Sequence, residues 1–333
     1  MRIPRFFIYC LLSILIASSQ ASAWGPGGHK TVGAIADQMI EGTHAATEVK
    51  AILGNISLQD ASVWADCVKG VNPKNDYKYE PTREYPECKI FETSQRKAEM
   101  SDFVRRNNKN CNTKPEKSSC HEEYHFTNVA IQHEKYDAKF VGTRNDDIVN
   151  AIAAATHVLK GDSAPSPFNF KDKREALLLL VHYVGDIHQP LHVGAVYLDE
   201  NGKTVNPDAG AYDPKTDTHG GNYILVHGEK FHSMWDGIPK SLTASHAKPT
   251  MLKQARAIPV TTGQIYDWPI IWASDTLIEA RQAFERIEFS NRRQGNWDAT
   301  LPENYNKDMD TIKETQVVKA GAHLAQLLQA IWP

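Results

Sequence analysis

His182-Tyr183-Val184-Gly185-Asp186-Ile187-His188-Gln189-Pro190-Leu191-His192 follows directly on the apolar run Leu177 to Val181. The run is long enough and apolar enough to predict a buried helix. In a helix, His182 and Asp186 stand four residues apart, so an imidazole and a carboxylate share one face, one turn from each other. Pro190 lacks a backbone donor and ends the helix. His192 then falls in the turn and can aim elsewhere. Two nitrogen donors and a carboxylate within so short a stretch point to a metal centre, although a single cluster of this kind also suits a hydrogen-bonded core network.

The same spacing recurs in His232-Ser233-Met234-Trp235-Asp236. Two His-x-x-x-Asp pairs in one chain favour a multi-zinc site, in which carboxylates bridge metals and histidines fill the remaining positions.

Several classes are excluded or narrowed by composition. The first 23 residues read as a cleaved signal peptide: Arg2 and Arg5, an apolar stretch from Phe6 to Ala17, and the small-residue cleavage site Ala21-Ser22-Ala23. No other stretch is apolar for the length of a membrane span. The reading is therefore of a protein secreted or periplasmic, with no membrane attachment after cleavage and Trp24 as its new N-terminus. Cys10 leaves with the signal, and Cys67, Cys88, Cys111 and Cys120 remain. An even count in an exported protein predicts two disulfides, and the sequence leaves all three pairings open. No C-x-x-C spacing supports a cysteine zinc site. The full chain carries a net charge of −3, and loss of two arginines makes the remainder more acidic. Nucleic-acid binders are usually basic, so any attraction to phosphate must be local, and bound divalent metals would supply it.

Helical spacing dominates. His29 to Ile40, His44 to Leu53, Leu58 to Asp66, Asp146 to Lys160 and Arg174 to His188 read as helices. Val317, Ala320, Leu324, Leu327, Leu328 and Ile331 form one apolar stripe near the C-terminus. Alternating strand patterns are scarce. The expected fold is all-α, a single domain over residues 24–333 with long loops. Residues 68–121, polar and rich in Lys, Pro and Cys, read as an insertion stapled by disulfides. Residues 197–221, rich in Asp, Gly and Pro, read as a long loop of the kind that often carries function.

Three further segments carry donors. Trp24-Gly25-Pro26-Gly27-Gly28-His29 offers, after cleavage, an α-amine and a carbonyl that can chelate a metal together, with His29 nearby. Alone, it reads as a flexible glycine-rich tail. Asp66, in Val63-Trp64-Ala65-Asp66, is by itself an ordinary solvated carboxylate or cap. His125, in Tyr124-His125-Phe126, is by itself more often structural than a ligand.

Taken in order, Trp24, His29, Asp66, His125, His182, Asp186, His192, His232 and Asp236 resemble the ligand set of the S-one/P-one type zinc nucleases, relatives of zinc phospholipase C. The resemblance spans residues 24 to about 240 and weakens in the C-terminal helices. It implies a helical fold with three Zn²⁺ ions at the bottom of a cleft. Asp66, His125, His182 and Asp186 would hold one ion. Trp24 and His29 would hold its neighbour, with Asp186 bridging. His192, His232 and Asp236 would hold the third. Asp66 would orient or deprotonate the attacking water, and Lys69 would steady the phosphate. The products would carry 5′-phosphates.

The resemblance also implies a base pocket. Phe126 is the stacking platform, tolerant of any base. Asn128 stands where relatives often carry aspartate. His219-Gly220-Gly221-Asn222 forms the closing loop, whose glycines let backbone approach a base edge. A base must be unstacked to enter, so single-stranded RNA and DNA and 3′-nucleotides are the expected substrates, with no protein partner implied and a monomer expected. His188 is assigned to support of the ligands or the helix end, and His44, His121, His133, His157, His227, His246 and His323 to surface or structural roles. The competing readings are a phospholipase C-like phosphodiesterase and a non-catalytic zinc-binding protein.

Overall fold

The computed structural model describes residues 24–108, 120–243 and 249–333. The expected signal segment, Cys111 and His246 lie outside them. The fold is mainly helical: α1 (Pro26–Ile40), α2 (His44–Leu53), α3 (Leu58–Ala61), α4 (Trp64–Val68), α5 (Ser94–Asn107), α6 (Ile148–Lys160), α7 (Lys173–Asp186), α8 (Phe231–Asp236), α9 (Pro249–Ala257), α10 (Trp268–Ala283) and α11 (Tyr305–Ile331). None is long and apolar enough to cross a membrane among the described residues.

The chain is organised around α7. Asp172 caps its start by accepting from the Glu175 amide at 2.9 Å. From Glu175 to Asp186 every residue is buried, as expected of a helix that is apolar all round. Helices α6, α4 and α11 pack against it, and α1 packs along α11. The C-terminal stripe read from the sequence is buried in α11, with Val317, Ala320, Leu324, Leu327, Leu328 and Ile331 all in the core.

Four departures from the sequence reading bear on the site. The segment Trp24–His29, a loose tail only when read alone and a ligand segment by the resemblance, is built into the fold. Pro26, preorganised for a first helical turn, starts α1, and both Trp24 and His29 are fully buried. The helix expected over Leu58–Asp66 is broken into α3 and α4 at Ser62–Val63. The break leaves the Ser62 carbonyl to accept a hydrogen bond from His182 Nδ1 at 2.6 Å. Residues 68–121 are more than a stapled loop. They include α5, capped by Thr93 and buried through Met100, Phe103, Val104 and Asn107. Finally, short strands exist where none was expected. Residues 224–226, 229–230, 288–289 and 297–300 form a four-stranded sheet, and two-residue pairs join Val71–Asn72 to Lys78–Tyr79, Val129–Ala130 to Gly194–Ala195, and Tyr197–Leu198 to Thr204–Val205. The last pair lies inside the expected 197–221 loop. The parallel pairing of 129–130 with 194–195 ties the segment after His125 to the segment after His192.

One disulfide joins Cys67 to Cys88. Cys120 is also disulfide-bonded.

Candidate metal centre and cleft

The first ligand-type residues meet where α1, α4, α7 and the short 3-10 helix Cys120–His125 converge. Asp186, the last residue of α7, is fully buried and spans two sides. Its Oδ1 lies 3.1 Å from His29 Nε2. Its Oδ2 lies 2.9 Å from His125 Nδ1 and 3.1 Å from His182 Nε2. Asp66, on α4, approaches His182 Nε2 at 3.7 Å and accepts a hydrogen bond from Lys69 Nζ at 2.7 Å. Two donor groups result: His29 with Asp66 and His182, and His125 with His182 and Asp186. The sequence reading had paired His29 with Trp24 instead; the geometry adds His182 as a residue common to both groups.

The second donor cluster is His192, His232 and Asp236. His192 Nε2 and His232 Nε2 lie 3.2 Å apart, and His232 Nε2 lies 3.5 Å from Asp236 Oδ1. Asp236 is held by the Gln189 amide at 2.9 Å.

The hydrogen bonds on the outer ring nitrogens decide which inner nitrogens are bare. His182 Nδ1 faces the Ser62 carbonyl, His192 Nδ1 faces the His125 carbonyl at 2.8 Å, and His232 Nδ1 faces the Gly220 carbonyl at 2.7 Å. A carbonyl only accepts, so each Nδ1 carries the hydrogen, and a ring that is neutral aims an Nε2 lone pair inward. Burial lowers the pKa of His182, but Asp186 and Asp66 outweigh it and raise it, so its Nε2 offers a lone pair to an ion that displaces the proton. Burial pushes the pKa of His192 down, and that of His232 to about 3, so both rings are neutral at pH 7. Two bare nitrogens at 3.2 Å repel each other unless a cation lies between them. His29 Nδ1 and His125 Nε2 are buried without hydrogen-bond partners among the described residues, an expensive arrangement for polar atoms, and His29 Nε2 and Asp186 Oδ1 have only each other, at 3.1 Å. These donors, all imidazole and carboxylate, fit zinc.

Charges within the site follow the same logic. Burial opposes ionisation of Asp186, but His182, His125 and His29 outweigh it and hold its carboxyl well below the usual range. Burial also opposes Asp66, and Lys69 with His182 outweighs it, again keeping a carboxylate. Burial dominates at Asp236 and raises its carboxyl, a cost that a nearby cation would relieve.

Two glycines make the geometry possible. His29 stacks on His182 with ring centroids 3.8 Å apart. A Cβ at Gly185 would sit 2.8 Å from His29 Nδ1, so any side chain on α7 there would displace the ring. Gly220 has φ +59°, and a Cβ there would meet the Leu191 carbonyl at 2.6 Å. Its carbonyl is the one that fixes His232.

The expected base-pocket residues gather less tightly. Phe126 is half-buried beside His125. Asn128 is buried, with its backbone N–H donating to the Gly142 carbonyl and its backbone carbonyl accepting from the Tyr197 hydroxyl. A Cβ at Gly220 would lie 3.4 Å from Asn128 Oδ1, which places this side chain beside the 219–222 loop. Asn222 Nδ2 donates to the His219 carbonyl at 2.9 Å, so its amide closes its own turn. His219 is exposed, at φ +49°, with its ring against Tyr223.

His188 does not reach the donor groups. Its Nδ1 pairs with the Val184 carbonyl and its Nε2 with His323 Nδ1 at 2.7 Å, so it supports the helix end. His121 and His323 are buried rather than on the surface.

Sequence reasoning missed Ser62, Gly185, Gln189 and Lys313. Lys313, on α11, is buried and donates to the carbonyls of Met234 at 2.7 Å and Gly237 at 2.5 Å. It thereby fastens the helix that carries His232 and Asp236. Lys313→Met should leave two carbonyls unsatisfied and cost roughly 1–3 kcal/mol of stability, measured by denaturant unfolding; a loss below about 0.5 kcal/mol would show that the tether is unimportant.

Known proteins are similar to this chain in sequence. "Endonuclease 4" and "Endonuclease 1" of Arabidopsis thaliana are each 29% identical to the chain, over 167 and 170 residues. Each match covers 47% of this chain and 50% of the relative, so the chain spans about half the length of the curated relatives it matches. The profile of the family described as S1/P1 Nuclease matches residues 24–333, reaching through the C-terminal helices where the resemblance had been weakest. On that match the chain belongs to the S1/P1 nuclease family.

Proposed function

We propose that the protein is an exported, zinc-dependent endonuclease that hydrolyses single-stranded RNA and DNA to 5′-phosphorylated products and also removes phosphate from 3′-nucleotides. The observation that carries this reading is the set of inward-facing Nε2 atoms of His182, His192 and His232, gathered with Asp186, Asp66 and Asp236 into three donor groups. Three Zn²⁺ ions would fit these donors, with the Trp24 α-amine and carbonyl completing the group at His29. When bound, they would supply a water of lowered pKa and neutralise charge on the phosphate.

The chain's own residues supply the rest. Asp66, held ionised, accepts a hydrogen bond from the attacking water and orients it toward phosphorus. Lys69, bonded to Asp66, fixes that carboxylate and adds positive charge beside a phosphate oxygen. Phe126 stacks on the base, Asn128 and Asn222 border its edge, and Gly220 and Gly221 let backbone come close. Release of the 3′ oxygen leaves phosphate on the 5′ side. The plant relatives named as endonucleases support the reaction class. Export is supported by the signal-like N-terminal sequence and the Cys67–Cys88 disulfide.

Phe126→Ala should weaken nucleotide binding by about 1–3 kcal/mol and spare metal content; an unchanged KM for 3′-AMP would place the base pocket elsewhere. The whole reading is tested by assaying single-stranded DNA, RNA, 3′-AMP and phosphatidylcholine with and without chelator. Chelator-sensitive hydrolysis of the first three is expected. Turnover of phosphatidylcholine alone would favour a phospholipase, and bound metal without turnover a binding protein.

A further inference from the structure

A second cavity opens on the side of Asp66 and Lys69. The base-pocket residues Phe126, Asn128 and 219–222 take no part in it. One wall is α4; the other is the arm of residues 80–88, fixed to α4 by the Cys67–Cys88 bridge. The arm is held tightly, since a Cβ at Gly70 would meet the Tyr79 ring at 2.8 Å and Pro81 at 3.2 Å. Arg83 lies over the Tyr85 ring at 4.8 Å and forms no ion pair or hydrogen bond among the described residues. A guanidinium plane with no carboxylate partner, stacked on a phenol, presents a flat cationic surface beside the pair assigned to the scissile phosphate.

We propose that this cavity is a second nucleotide subsite, which receives the nucleotide following the scissile phosphate in a single strand, its base stacking on Arg83 and Tyr85. The proposal rests on the nuclease reading above. Continuity carries the direction. The base pocket adjoins the His192–His232–Asp236 cluster through the Gly220 carbonyl, whereas the second cavity shares Asp66 and Lys69 with the other donor groups. A strand whose phosphate sits between them has one flanking nucleotide on each side. Glu80 and Glu87 also line the cavity. Glu80 is engaged by Asn72 and Asn75, and both acids disfavour a run of further phosphates. The cavity therefore suits one base and sugar, with the guanidinium plane of Arg83 against the base and its edge N–H groups on the one phosphate of that nucleotide within reach.

A 3′-mononucleotide has nothing beyond its phosphate, so the two substrates separate the subsite from the chemistry. For Arg83→Ala and Tyr85→Ala, KM on a single-stranded oligonucleotide should rise about tenfold while kcat/KM on 3′-AMP stays within about twofold. Arg83→Gln should also flatten the salt dependence of oligonucleotide KM by close to one phosphate contact, a readout that mere loosening of the arm would not move. Equal losses on both substrates, or no loss on either, would overturn the subsite. A wild-type protein inactive on every nucleotide substrate would overturn the nuclease reading, and the subsite with it.

Discussion

Asp66→Asn is expected to reduce turnover by about 10²–10⁴-fold, the range for loss of a positioned proton-accepting group, while most bound metal stays in place. The amide keeps the shape and size of the side chain. It cannot carry the negative charge that Lys69 holds at 2.7 Å, and one of its two positions becomes a donor facing a donor. His125, His182 and Asp186 remain as a buried donor group without it, so the fold and much of the metal affinity should survive. The expected signature is a fall in kcat on both 3′-AMP and single-stranded DNA, with thermal unfolding little changed. Activity within a few-fold of wild type would remove Asp66 from the reaction.

The second large effect concerns Trp24. Trp24 is fully buried, and the Gly25 amide donates to the Asp236 carbonyl at 2.7 Å, which binds this end of α1 to the helix of the other donor cluster. A free α-amine titrates near ~8, and zinc displaces its proton readily, whereas a peptide nitrogen is a far poorer ligand. A protein left with Met or a tag before Trp24 is therefore expected to lose about one zinc and most of its activity. Clean proteolytic removal of the extension should restore both. Full activity and full zinc in the extended protein would contradict a ligand role for the Trp24 amine, and weaken the assignment of His29 with it.

How much of this was legible beforehand depends on how local each cause is. The last helix was readable because Val317, Leu324 and Leu328 repeat at helical spacing. The buried helix before Pro190 was readable because Leu177–Val181 is continuous. The break at Ser62 was not, because its use lies 120 residues away, in a hydrogen bond to His182. Helix α5 was missed because its exterior is rich in Lys and Arg and only one stripe is apolar. Its Thr93 cap was an available signal. Strands of two residues are too short for alternation to register. Pro26 announced a helix start, yet glycines on both sides argued for a tail. The outcome was decided by packing: Gly28 allows Trp24 to lie against it, where a Cβ would come within 2.7 Å of the Trp24 Cβ. The order of ligand-type residues was visible in the sequence. The stacking of His29 on His182, which Gly185 permits, belongs to the tertiary structure alone.

The central claim is that the inward-facing imidazoles and carboxylates hold zinc that the reaction requires. Elemental analysis of fully active protein, followed by chelation and stepwise return of zinc with activity measured at each step, tests it most directly. The account predicts about three zinc ions per chain, loss of hydrolysis on chelation, and recovery that is complete only as the full complement returns. One zinc or fewer per fully active chain, or activity indifferent to the chelator, would contradict it.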